Sequence, residues 1–68
     1  MRAKEIIKIL KKNGWILKRT KGSHLHFKHD YKSALVTVPF HGSKELNFKT
    51  LLTIIKSAEL PKTEFFNI

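Results

Sequence analysis

The chain has 68 residues, 41% of them hydrophobic, no cysteine, and 14 Lys and Arg against five Asp and Glu, a net charge of +9. That length predicts one domain over residues 1–68 with its site at or near the surface, because a chain of about 60 residues buries only about 60% of the surface its unfolded form exposes. The missing cysteines exclude a disulfide framework and a thiolate metal site, and an isoelectric point near 10.2 is the footprint of a polyanion binder.

The opening segment MRAKEIIKILKKNGW is too charged, and too short in apolar run, for a signal peptide or a membrane span. A cytoplasmic protein is expected, with no membrane partner. Ala3, Ile6, Ile7 and Leu10 fall at i, i+3, i+4 and i+7, which predicts a helix over residues 3–13 with one buried face. Asn13-Gly14 stops it, since glycine tolerates the left-handed conformation at a helix C-terminus. No Ser, Thr, Asp or Asn precedes it as a cap, so a frayed first turn is expected.

From Trp15 the period changes to two. Trp15, Leu17 and Arg19 alternate with Ile16, Lys18 and Thr20; after Lys21-Gly22, Leu25 and Phe27 alternate with His24, His26 and Lys28. A two-residue Lys21-Gly22 turn would pair Leu17 with His26 and mix apolar with polar positions on both faces. A three-residue loop, Thr20 to Gly22, pairs Trp15 with Phe27, Leu17 with Leu25 and Lys18 with His24. The second register is preferred, because a one-residue slip flips every side chain to the other face.

His29 to Ser33 read as a polar connection, and Ala34 to Val38 as a third strand ended by Pro39. Phe40 to Leu46 form a loop containing His41 and Gly42. A second helix runs from Asn47 or Phe48 to Ala58, with Asn47 as its cap and Phe48, Leu51, Leu52 and Ile55 at helical spacing. Leu60-Pro61 ends it, and Pro61 opens a short final turn carrying Phe65 and Phe66. The expected fold is α+β: helix, three antiparallel strands, helix, with both helices on one face of the sheet and the other face open.

His24, His26 and His29 spell H-x-H-x-x-H-D, superficially like the H-x-H-x-D-H box of metallo-β-lactamase-type hydrolases. Lys28 stands in the slot of that motif's Asp, and strand parity sends His29 away from the other two. No metal is therefore expected. His26, His29 and His41 each also read as ordinary polar residues. His24 differs, because it stands at a hairpin mouth on the exposed face. An exposed imidazole suits a general base that removes the 2′-hydroxyl proton of RNA, with Lys18, Lys21 and Lys28 neutralising charge on the phosphorane oxygens. Lys18 and His26 are the candidates for the partner acid, with Lys28 assisting. DNA offers no such hydroxyl, and the clustered carboxylates of two-metal nucleases are missing. Ser23 falls on the opposite strand face from His24, so no nucleophilic triad competes. A non-catalytic RNA-binding module, using Lys44 and Lys49 near the second helix, is the alternative.

The order of Asn13-Gly14-Trp15, Lys21-Gly22-Ser23-His24 with Phe27, Val36-Thr37-Val38-Pro39, Lys44-Glu45-Leu46, Thr50-Leu51, Ile54, Ala58 and Leu60 resembles the HicA-type mRNA interferase toxins of bacterial toxin–antitoxin pairs. The resemblance implies a double-stranded-RNA-binding-domain-like fold and cleavage of mRNA without a metal or other cofactor. It carries the family's single catalytic histidine, in G-S-H, over to His24. It also implies a HicB-type antitoxin that covers this surface. Operator binding then rests with the antitoxin, and no direct DNA binding is expected of the toxin alone. The chain departs from the family pattern at two positions. Lys49 stands where members commonly have Gly before Thr-Leu, and Ala58-Glu59-Leu60 where they commonly read Ala-Gly-Leu.

Overall fold

Ala3, Ile6 and Leu10 lie buried along one face of the first helix, α1 (Ala3–Lys12), in a computed structural model that describes residues 1–66. Its first turn is tied down rather than frayed, which corrects the expectation from the missing cap. Glu5 Oε1 accepts from the Arg2 backbone N–H at 2.9 Å, and the Leu46 N–H donates to the Met1 carbonyl at 2.9 Å. Arginine carries no acceptor, so only the reciprocal half of a capping box is available, and the 45–46 segment does the rest. At the other end Asn13 Nδ2 donates to Ile9 O and to Glu64 Oε1, both at 2.9 Å.

Three strands follow, β1 (Ile16–Lys21), β2 (His24–His29) and β3 (Lys32–Pro39), antiparallel and in the order β1-β2-β3. Phe27, Val36 and Val38 are fully buried on one face. Against them pack Ile6 and Leu10 of α1 and Leu51, Ile54, Ile55 and Ala58 of the second helix, α2 (Phe48–Ala58). Burying a side chain of this size contributes about 1.5–3 kcal/mol. A 3₁₀ turn at Lys62–Glu64 then delivers Phe65 into the same core. The expected α+β architecture, helix–three strands–helix with a one-sided open sheet, is the observed one.

The hairpin register differs from the expected one. β1 pairs Ile16 with Lys28 and Leu17 with Phe27, then, past an irregularity, Arg19 with His26, Thr20 with Leu25 and Lys21 with His24. The turn is Gly22-Ser23, with Gly22 at φ 58°, the positive value demanded at the first position of such a two-residue turn. Lys18 is the extra residue of a β-bulge. An unbroken period of two was assumed for β1, and one inserted residue reverses parity beyond it. Trp15 lies just before the strand and is buried.

The 29–33 connection is also shorter than expected. His29 pairs with Lys32, so the strands run almost to the two-residue Asp30-Tyr31 turn. In α2 the Asn47 cap holds, its side-chain oxygen accepting from the Lys49 N–H at 2.8 Å. The buried row is Leu51, Ile54, Ile55 and Ala58. Phe48, expected on that row, is 63% exposed and instead has its ring centroid 6.2 Å from that of Phe66.

The helix α2 ends in a Schellman arrangement. Leu60 N–H donates to Ile55 O at 3.5 Å and Glu59 N–H to Lys56 O at 3.2 Å, with Glu59 left-handed at φ 56°. Lys32 of β3 reaches over to donate to the Ala58 carbonyl at 3.0 Å. A cation there meets both an unpaired carbonyl and the negative end of the helix dipole.

Candidate functional site

In β2 the apolar residues Leu25 and Phe27 take the core face, so His24, His26 and Lys28 take the other. Their cross-strand partners complete the open surface. His24 lies between Lys21 of β1 and Pro39 of β3, His26 between Arg19 and Thr37, and Lys28 beside Ile16. Lys21, not Lys18, is therefore the cation opposite His24; Lys18 is exposed in the bulge. Arg19 joins the open face, although simple alternation put it with Trp15 and Leu17. The signal that would have found it is its own charge, since an unpaired arginine is almost never placed against a core.

The two histidines are held differently. His24 is exposed, and its place is set through the backbone, where Ser23 O accepts from the Phe40 N–H at 2.6 Å. His26 is half-buried with Nδ1 2.9 Å from Thr37 Oγ1, so Nε2 is the ring nitrogen left over for another partner. Two residues along one strand put their Cα atoms about 6.6 Å apart on one face.

His29 belongs to another part of the molecule. Its Nε2 donates to Asn13 O at 3.0 Å and its Nδ1 accepts from the Tyr31 N–H at 3.1 Å, a pair of bonds that selects the Nε2–H tautomer. The ring also stands edge-on to Trp15, with centroids 5.1 Å apart. It latches the β2–β3 hairpin to the end of α1. The three histidines of H-x-H-x-x-H do not converge, and among the described residues no group of three His, Cys, Asp or Glu is placed to hold a metal ion.

The carboxylates explain why this face stays basic. Glu5 caps Arg2, Glu64 accepts from Asn13, and Glu59 lies 4.0 Å from Lys32. Glu45 bonds the Met1 ammonium at 2.6 Å, with Arg2 at 3.9 Å; the ammonium holds its carboxyl below the ordinary value. Four of the five acids are thus engaged at helix ends. Arg19, Lys21 and Lys28 stand beside His24 and His26 with no acidic cross-strand partner. Lys44 and Lys49 are exposed, in the loop before α2 and in its first turn.

Such a surface offers a proton acceptor, a second imidazole and several cations on one side of a rigid sheet. Among the described residues no helix is long and apolar enough to cross a membrane. A family model described as the HicA toxin of bacterial toxin-antitoxin matches residues 3–60, from the start of α1 to just past the end of α2. No curated protein matches the chain.

Proposed function

This chain belongs to the HicA toxin family of bacterial toxin–antitoxin systems, and on that premise we propose that it is an endoribonuclease that cuts mRNA with His24 as its general base. The observation that carries the reading is the placement of His24: exposed, at the rim of a basic sheet face, with Lys21 directly across the ladder.

In the proposed reaction, neutral His24 takes the proton of a ribose 2′-hydroxyl. The freed oxygen attacks the adjacent phosphorus, and the bond to the 5′-oxygen breaks, leaving a 2′,3′-cyclic phosphate. His26, held through Nδ1 by Thr37, is the candidate to protonate the departing 5′-oxygen from its other ring nitrogen. Lys21 and Arg19 neutralise charge growing on the non-bridging oxygens, with Lys28 assisting at the far end. General acid–base catalysis of this kind contributes typically ~10²–10⁴-fold, and cations aimed at developing charge add to it. RNA supplies its own nucleophile, so the reaction as written uses no metal. The antitoxin partner that the family implies is, in this reading, a HicB-type protein that covers the same face in the cytoplasm.

His24→Ala is the decisive variant. It should stay folded, lose the ability to arrest growth on expression, and leave RNA intact in vitro. A folded mutant that still cleaves overturns the assignment. Wild-type protein that binds RNA with a steep salt dependence, yet creates no new RNA ends, identifies instead the non-catalytic RNA-binding module.

A further inference from the structure

The nuclease reading leaves one concavity unused. Where β3 hands the chain to α2, a groove of about 220 Å³ is lined by the apolar residues Pro39 and Leu46 and the polar or charged residues His41, Lys44, Asn47 and Thr50. We propose that this groove receives the base of the nucleotide adjoining the cleaved linkage, and so decides which single-stranded sequences are cut.

Position supports this first. Pro39 pairs with His24 across the ladder, and paired strands lie only about 4.8 Å apart. Pro39, one wall of the groove, thus stands one strand spacing from His24, within reach of the nucleotide next to a phosphodiester held there. Size comes second: the groove is smaller than the about 300 Å³ at which pockets for drug-sized ligands begin, and suits one heterocycle.

Chemistry points the same way. Proteins that read unpaired RNA stack a base on an aromatic ring and bond its edge with side-chain amides and hydroxyls. His41 supplies the ring, Asn47 and Thr50 the polar groups, and Lys44 a cation for the neighbouring phosphate. Asn47 is already oriented, because its Oδ1 accepts from the Lys49 N–H at 2.8 Å, leaving Nδ2 as the end that donates to a base. The one carboxylate at the groove, Glu45, is turned to the Met1 ammonium and Arg2, so it offers the RNA little repulsion.

This inference rests on the endoribonuclease reading, and the test separates the two. The probes are four six-residue 2′-O-methyl homo-oligonucleotides, which lack the nucleophile and cannot be cut, titrated by fluorescence anisotropy. Wild-type protein should prefer one base. His41→Ala should weaken that preferred complex about tenfold, the effect of losing one stacked base. Asn47→Asp keeps the helix cap, because Asp caps as well as Asn, but replaces the donor with an acceptor. It should change the ranking of the four bases without lowering the thermal midpoint. The same variant should shift the base bias beside the cut sites in sequenced RNA fragments. If wild-type protein shows no base preference, or if both folded variants keep its ranking and affinities within twofold, the proposal is overturned. If wild type discriminates among the probes but leaves unmodified RNA uncut, the nuclease reading falls while the groove stands as a base-binding site.

Discussion

Glu59→Gly is expected to stabilise the protein, and the size of the gain follows from the end of α2. Glu59 occupies the left-handed position of the Schellman arrangement, at φ 56° and ψ 37°, the backbone conformation that glycine, having no Cβ, adopts most easily. A side chain there brings Cβ close to a carbonyl oxygen at a cost of about 1–2 kcal/mol. Glycine removes that strain but loosens the unfolded chain, which takes back about 0.4–1 kcal/mol. The substitution also deletes the pairing of Glu59 with Lys32, a 4.0 Å contact in which the Glu59 side chain is 65% exposed. Solvent screening leaves such a contact little value. Lys32 keeps its bond to the Ala58 carbonyl, so the helix end stays capped. The net expectation is a gain of about 0.5–1 kcal/mol, or a rise of about 4 °C in Tm for a domain of this size. Thermal unfolding by circular dichroism, with urea titration at fixed pH, measures it. Glu59→Ala is the control, because it removes the charge and keeps the Cβ. An unchanged or lower midpoint for the glycine variant, or an equal rise for the alanine variant, refutes the backbone-strain account.

The remaining expectations concern the histidines and the basic face. His29→Ala removes two hydrogen bonds and ring contacts with Trp15 and Tyr31, and should cost about 3 kcal/mol in urea unfolding while leaving cleavage per folded molecule unchanged; a lost activity in the folded variant would place His29 at the chemistry. Thr37→Val frees the His26 ring with little change in shape, and should lower kcat several-fold at unaltered KM, whereas an unchanged kcat removes His26 from the reaction. Arg19→Ala should reduce the slope of log K against log salt by about 0.7 for single-stranded RNA, one phosphate contact's share; a slope equal to wild type would show that Arg19 meets no phosphate.

Much of this molecule was legible because its two periodicities are clean. Ala3, Ile6 and Leu10 mark the inner face of α1 at helical spacing, and Leu25 and Phe27 separate from His24, His26 and Lys28 at a spacing of two. The residue across from His24 was not legible. Lys18 gives no compositional sign of a bulge, and with it in place the count across the hairpin moves to Lys21. The role of His29 was hidden for a different reason: its bond to Asn13 spans sixteen residues and depends on how helix and hairpin meet. The groove beside Pro39 likewise takes residues from a strand end, a loop and a helix start. No local pattern announces such a meeting.

The bulge at Lys18 also bears on how copies of this protein behave when crowded together. β1 is an outer strand whose residues are all exposed, including Ile16 and Leu17. A flat strand of that kind is a template for edge-to-edge aggregation, since its free N–H and C=O groups invite another strand. Lys18 breaks the even spacing of those groups and increases the local twist. Lys18, Arg19 and Lys21 then place like charges where a second copy would have to align. One inserted lysine thus sets Lys21 across from His24 and leaves an edge on which a second copy pairs poorly.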